Sequence, residues 1–387
     1  MAKLKVLMMG GRRCGKTSAL ASLFYQMIHG ATNEFLTVSD NTILETKIDS
    51  ITNTKKEEKQ ESLLKKRMEL EYFISKGGNN TFLVDKGPTP MFWLYNLQIQ
   101  IPGTSKKTTI EFRDSAGEFF EAGGIYHLET VEYIKDCDVF VVVVDTPYLM
   151  VGSKVENEAA NVVESLHTFL THIDNDDGRK AKQVIFLPIK CEKWVKDGKI
   201  EDVVAKIETT YEATIRYLKA TGKTEISIIP IQTAGDIVFS ELREPYLLVD
   251  TKTGKKSKCS MLGESGRMVV LEDGKNHKVT ETEKVYTDPE GVFPGTDITR
   301  PAAWYNLSNG SNSSYSPYNC EQLPLHIIRF MFNKLTEESP GGIWGSISSF
   351  LFGTITKNDL SKALKGLNDK NLIKDSDDGI KILKKCF

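Results

Sequence analysis

The sequence predicts an α/β protein whose mostly parallel sheet carries helices on both faces. Three observations point there. The chain opens with the apolar run KLKVLMMG, then a glycine-rich stretch, then Leu20, Leu23, Phe24, Met27 and Ile28 at helical spacing. Asp138 to Asp145 and Gln183 to Lys190 are nearly continuous β-branched and apolar runs, the pattern of strands buried on both faces. Helical patterns around Val155 to Ile173 and Val203 to Leu218 alternate with these runs and with a further strand, EISIIPIQ.

A chain of 387 residues has room for a large domain with insertions, or for two to three domains of about 150 residues each. With 40% hydrophobic and 26% charged residues it buries a core, which excludes whole-chain disorder and a disulfide-stapled miniprotein. Fifty basic against fifty-two acidic side chains leave a formal charge of −2, so no overall field draws the protein to nucleic acid. The six cysteines, Cys14, Cys137, Cys191, Cys259, Cys320 and Cys386, form no CxxC pair, and the histidines do not cluster. That spacing argues against zinc and for a reducing compartment. The longest unbroken apolar run, Val139 to Val144, is too short to span a bilayer, and no signal-like segment opens the chain. A cytoplasmic location without an integral membrane segment is expected.

Between the opening helix and the next strands, Asn41 to Lys76 mixes charges of both signs around Leu63, Leu64, Met68 and Leu70, which predicts a solvated helical insertion at about 41–80. FWLYNLQIQI and TTIEFRD then alternate around PGTSKK as an antiparallel hairpin ending on Asp114. From Glu241 to Asn319 the α/β period is lost; RMVVLEDGKNHKV reads as a hairpin turning on Asp273 and Gly274, inside a β-containing or irregular insertion. Leu325, Ile328, Phe332 and Leu335 mark a closing helix, so residues 1–338 form one domain. Residues 339–387 read as a small helical tail. Its Trp344 and Phe350 stripe lacks interleaved cations, which favours packing on the domain over a membrane.

Gly10-Gly11-Arg12-Arg13-Cys14-Gly15-Lys16-Thr17 fits the pattern GxxxxGK followed by Ser or Thr, between a strand and a helix that continues with Ser18. In that context backbone amides converge on a β-phosphate at a helix N-terminus. The Lys16 ammonium bridges the β- and γ-phosphates, and the Thr17 hydroxyl is a ligand to Mg²⁺. Two strand-end aspartates compete for the other metal-side place, Asp114 and Asp145. Asp114 begins the tetrad Asp-Ser-Ala-Gly, whose Gly117 amide reaches a γ-phosphate; Asp145-Thr146-Pro147 offers no such amide.

With these residues the chain resembles the Ras-like, translation-factor-related class of P-loop GTPases, over roughly residues 3–240 and the helix near 321–336. The resemblance implies a G domain with a mostly parallel six-stranded sheet and GTP hydrolysis as a switch. It also implies a Mg²⁺-binding loop threonine some way before Asp114, here Thr89, with Thr81 as the alternative. The family's NKxD base motif corresponds to Ile189-Lys190-Cys191-Glu192, in which Glu192 replaces the aspartate that reads guanine and Ile189 supplies no orienting amide. Thr233 and Ala234, in PIQTAGDI, match the last nucleotide loop.

Where the family carries a glutamine after DxxG, this chain has Glu118, a candidate base or helix cap. Arg13 stands where guanylate-binding proteins carry an arginine that neutralises phosphate charge when two G domains meet, an element worth about 10³ to 10⁵ in rate. Among prokaryotic GTPases the chain is similar to the double-GTPase type of bacterial conflict and defence gene sets, through Asp114 to Glu118 and Asn319 to Leu325. The implied catalytic set is Lys16, Arg13 and Glu118, with GTP, GDP and Mg²⁺ as ligands. A homodimer through the nucleotide face or a protein effector is the implied partner. Two other readings stay open: an ATP-binding P-loop NTPase or kinase, and a nucleotide-gated scaffold without catalysis.

Overall fold

The computed structural model describes residues 3–12, 14–29, 44–48, 55–59, 66–72, 74, 82–83, 92–100, 107–115, 117–120, 136–171, 181–221, 223–243, 246–262, 268–271, 275–286, 302–337, 357–369 and 371–386. Strand β1 (Lys3–Met9) leads through the glycine loop into α1 (Lys16–His29). Strands β2 (Leu44–Ile48), β3 (Lys55–Lys59) and β4 (Phe82–Leu83) precede the long hairpin of β5 (Phe92–Gln100) and β6 (Lys107–Asp114). Then come β7 (Val139–Asp145), α2 (Thr146–Met150), α3 (Lys154–Asn161), α4 (Val163–Thr171) and β8 (Lys182–Ile189). Helices α5 (Glu192–Lys196), α6 (Ile200–Thr210) and α7 (Glu212–Ala220) lead to β9 (Thr224–Ile228).

The central sheet runs β9–β8–β7–β1–β6–β5, continued by β2 and β3 beyond β5. Strands β9, β8, β7, β1 and β6 are mutually parallel, and β5 is antiparallel to β6. Every residue of β7, β8 and β9 is buried. The period of two explains how one run feeds two cores. Phe140, Val142 and Val144 share a cluster with Leu166, Phe169, Val203, Ile207 and Leu218 from α4, α6 and α7. Val139, Val141 and Val143 share the other with Leu20, Leu23 and Phe24 of α1 and with Ile328 and Phe332 of α8 (Gln322–Glu337). Helices therefore cover both faces, and the strands end where the glycine loop lies.

Four sequence expectations need correction. The segment at 41–80 is not helical throughout: β2 and β3 form an antiparallel hairpin that extends the sheet through β5, and among its described residues helical backbone appears only at 66–72 and 74, where Leu70 and Ile74 are buried. Strand β3, Lys-Lys-Glu-Glu-Lys, has no apolar alternation in its sequence and follows β2 as the last strand on that side of the sheet among the described residues. The helix expected at 155–173 is divided at Val162, which takes the left-handed conformation (φ 44°). A capping box starts its first half: Ser153 Oγ accepts from the Glu156 amide at 3.3 Å, and Glu156 Oε2 accepts from the Ser153 amide at 2.6 Å. The helix expected at 203–218 is likewise two, α6 and α7, parted at buried Tyr211, whose ring packs on Phe186.

The fourth correction is the tail. Helix α9 (Lys357–Asp369) buries Leu367, but β17 (Lys381–Lys384) joins the main sheet antiparallel to β9 and covers its outer edge. Four residues are too few to display a strand period, which is why the tail reads as helical from its sequence. Trp344 and Phe350 lie outside the described residues.

The insertion before α8 is built mainly of strands among its described residues, with a 3₁₀ turn at Gly310–Asn312. Strands β10 (Ile237–Arg243) and β16 (Ala302–Leu307) pair with each other, and β16 also pairs with β4, which joins the two insertions. Strands β11 (Tyr246–Asp250), β12 (Lys256–Leu262), β13 (Met268–Leu271), β14 (Asn276–Lys278) and β15 (Glu283–Tyr286) form a five-stranded antiparallel sheet over Leu248, Cys259 and Val269. The expected hairpin is β13 with β14.

Candidate functional site

At the C-terminal ends of β1, β6, β7 and β8 the glycine loop is held by close backbone approach. Gly15 takes a φ of +110°, a conformation that favours glycine, and a Cβ there would stand 2.7 Å from Ile189 Cδ1, which would have to turn aside. Gly11 is pressed against the end of α3, where a Cβ would lie 2.1 Å from the Ala160 carbonyl oxygen. Lys16 is buried and its ammonium turns back into the loop, donating to the carbonyls of Gly10 at 3.0 Å and Gly11 at 3.1 Å. Its Nζ also lies 3.9 Å from Cys14 Sγ. Burial raises the Cys14 pKa against the pull of Lys16, so the thiol stays protonated and fills space.

Thr17, in the first turn of α1, donates through Oγ1 to Asp114 Oδ2 at 2.6 Å. The two residues are 97 positions apart, and parallel pairing of β1 with β6 brings them together. Burial pushes the Asp114 pKa up, with Lys16 and the Thr17 hydroxyl pulling the other way. Ser115 Oγ donates to the Met8 carbonyl at 2.9 Å, which ties the turn after β6 to β1. Gly117 opens a 3₁₀ turn, Gly117–Phe120, that contains Glu118 and is anchored by buried Phe120 against Phe169. Ser18 follows Thr17 in α1.

At the other end of the loop, Lys190 takes a left-handed φ of 59°. Its Cε lies 3.5 Å from the position of a Gly15 Cβ, and its Nζ donates to Asp145 Oδ2 at 2.6 Å. Glu192, in the first turn of α5, is 3% exposed. Its Oε1 accepts from the Ala234 amide at 2.8 Å and from Thr233 Oγ1 at 3.4 Å. Burial raises its pKa to about 7 in spite of those donors. The carboxylate expected at guanine N1 and N2 and the amide expected at the neighbouring carbonyl therefore satisfy one another.

The loop at Thr233 is braced from the insertion side, which the sequence did not foretell. Ser22 Oγ donates to the Thr233 carbonyl at 2.5 Å, with Tyr315 Oη 2.9 Å from Ser22. Asp236 accepts from Ser308 Oγ at 2.7 Å, Ser314 N at 2.8 Å and Asn309 Nδ2 at 2.9 Å. Burial opposes ionisation of Asp236, yet these three donors together hold its pKa down. Polar residues in a Gly- and Ser-rich stretch carry no period that would mark them as partners.

Gly10, Gly11, Arg12, Cys14, Gly15, Lys16, Thr17, Asp114 and Gly117 thus meet at one end of the loop. Lys190, Glu192, Thr233 and Ala234 meet at the other. Arg13, Thr89 and Thr81 lie outside the described residues, as does the side chain of Glu118. Among the described residues no three His, Cys, Asp or Glu side chains gather as a metal cage. The oxygen pair of Thr17 and Asp114 instead suits a hard cation that takes its remaining ligands from phosphate and water. Among the described residues no helix is long and apolar enough to cross a membrane. No protein-family model matches this chain, and no curated protein matches it.

Proposed function

We propose that the protein binds a magnesium purine nucleotide in the glycine loop, with guanine as the base, and hydrolyses GTP to GDP as a switch. The observation that carries this reading is the 2.6 Å contact of Thr17 Oγ1 with Asp114 Oδ2 beside a buried Lys16 that donates to loop carbonyls. A hydroxyl, a carboxylate and an ammonium at the start of a helix, after a strand and a glycine turn, form a phosphate and Mg²⁺ grip. Lys16 would exchange its carbonyl partners for phosphate oxygens, since charge-assisted bonds to phosphate are the stronger ones. When bound, Mg²⁺ neutralises charge on the β- and γ-phosphates, held by Thr17 with Asp114 behind it and Thr89 as the expected loop ligand.

Hydrolysis transfers the γ-phosphoryl group to water: a P–O bond to the water oxygen forms, the bond to the β–γ bridging oxygen breaks, and the proton leaves on inorganic phosphate. Glu118, directly after Gly117, is assigned to the water, and Arg13 to charge neutralisation between two nucleotide faces. Gly117–Phe120 rests on the loop and would report nucleotide state.

Calorimetry with magnesium GDP and ADP tests binding and base together: GDP should bind far more tightly than ADP, and Lys16→Ala should bind neither. Turnover per molecule that does not rise with protein concentration, or that is unaltered by Arg13→Ala, would remove the dimer element. Single-turnover hydrolysis no faster than that of Lys16→Ala would support the scaffold. A second reading has its own observation: with the Ala234 amide taken by Glu192, a 6-oxo group lacks its donor, whereas a protonated Glu192 carboxyl would accept from the amino group of adenine and donate to its N1. ADP binding more tightly than GDP would establish it.

A further inference from the structure

Asp145 closes β7 and is the aspartate that the metal side leaves over, since Thr17 pairs with Asp114. It is 1% exposed, and its Oδ2 holds Lys190 Nζ at 2.6 Å. Its peptide is fixed as well: Asn161 Oδ1 accepts from the Asp145 amide at 2.7 Å, and Asn161 Nδ2 donates to the Asp145 carbonyl at 3.3 Å. Asn161 Nδ2 also donates to Asn157 Oδ1 at 2.8 Å, so α3 and the end of β7 form one bonded unit. Lys190 reaches this anchor from a left-handed backbone, a conformation that a lysine keeps only when its surroundings enforce it. On the way its stem passes Gly15, with Cε 3.5 Å from the Cβ position.

We infer that Asp145 is a positioning residue for the nucleobase: it anchors the Lys190 ammonium so that the lysine stem lies along the glycine loop as a fixed wall of the base slot. The inference rests on the nucleotide reading above and adds which group prepares the base end of the site. An unanchored lysine would lose rotamer freedom on meeting a base; with the ammonium already held, that entropy has been lost before the ligand arrives. The loop thereby has one aspartate for each end, Asp114 with Thr17 for the metal and Asp145 with Lys190 for the base.

Calorimetry on the full chain separates the two ends. The parent, Asp145→Asn, Lys190→Met and the double variant are titrated with magnesium GDP, or magnesium ADP if the parent prefers it, and with magnesium tripolyphosphate, which has no base. Each single variant should weaken the nucleotide about tenfold and leave tripolyphosphate within about twofold, and the double variant should be no weaker than the weaker single. Equal losses on both ligands, unchanged nucleotide affinity, or additive losses in the double variant would overturn the role of Asp145. Lys190 is partly exposed, so Lys190→Met keeps the comparison available if Asp145→Asn does not fold. A parent that binds neither ligand would instead overturn the nucleotide reading itself.

Discussion

Gly117 and Arg12 meet backbone to backbone: a Cβ on Gly117 would lie 2.2 Å from the Arg12 nitrogen and 2.3 Å from its Cα. The turn after Asp114 is therefore seated directly on the glycine loop, and no side chain fits between them. Gly117→Ala should lift the turn from the loop while leaving Lys16 and Thr17 in place. In the GTPase reading, single-turnover hydrolysis should fall at least about tenfold, a loss of roughly 1.4 kcal/mol in transition-state stabilisation, with GDP affinity within about threefold. Equal hydrolysis by parent and variant would show that the turn takes no part in the chemistry.

The strands that carry the site were legible because their burial is written into composition. Val139 to Val144 is apolar at every position, which only a strand covered on both faces requires. The glycine loop between β1 and α1 and the meeting of Thr17 with Asp114 were legible because a strand, a glycine turn and a helix follow one another in the pattern. What escaped depends on partners distant in the chain. Nothing in Ala160-Asn161-Val162 announces a left-handed valine; it arises where Asn161 turns to hold the Asp145 peptide. Glu192 finds the Ala234 amide across 42 residues, a contact that no local pattern marks. Lys190 and Asp145 stand at the ends of adjacent strands, so their pairing could have been found by asking what a lysine just past β8 can reach.

Glu192 makes the protein's stability fall as pH rises. Its folded pKa of about 7 lies above its ordinary 4.5, so the folded state holds the proton more tightly than the unfolded one. That contribution is complete below pH 4.5 and is lost as pH rises through about 7. Glu192→Gln, which can still accept from Ala234, should remove the slope and gain about 2–3 kcal/mol at pH 8 in urea denaturation. Nucleotide affinity has a sign of its own. Guanine presents two donors to an ionised Glu192, so GDP should bind more tightly as pH rises through 7, whereas adenine suits the protonated acid and would bind more weakly. A flat affinity profile would show that Glu192 does not meet the base.

Gly11 gives a test of the loop's other contact. The Ala160 carbonyl stands 2.1 Å from where a Cβ would be, and both partners are backbone, so neither can turn aside. Gly11→Ala should cost about 2–4 kcal/mol of folding free energy and should displace α3 from the loop. Denaturant midpoints measure the first effect, and faster amide exchange at 157–162 would report the second. A variant as stable as the parent would mean that α3 does not bear on the loop.

His326 of α8 meets the Lys374 carbonyl beyond α9, a C-terminal clasp whose acid limit the histidine sets. Arg329 can only donate, so its Nη2, 3.0 Å from His326 Nδ1, requires an unprotonated acceptor there. The ring proton must then sit on Nε2, which donates to the Lys374 carbonyl at 2.9 Å. Burial first, and the Arg329 charge second, lower the His326 pKa to about 4. Because the folded value lies below the ordinary 6.5, the clasp keeps its full contribution above pH 6.5 and loses it as pH falls through about 4. The loss should reach about 2–3 kcal/mol by pH 4, opposite in sign to the Glu192 slope between pH 4.5 and 6.5 and partly masked by it. His326→Gln offers the same donor and acceptor without titrating, so the parent-minus-variant difference isolates the histidine. Protection of the amides at 381–384, where β17 pairs with β9, taken relative to their intrinsic exchange at each pH, should fall on acidification in the parent and much less in the variant. Coincident profiles for the two proteins would mean that the ring is not held neutral against Arg329.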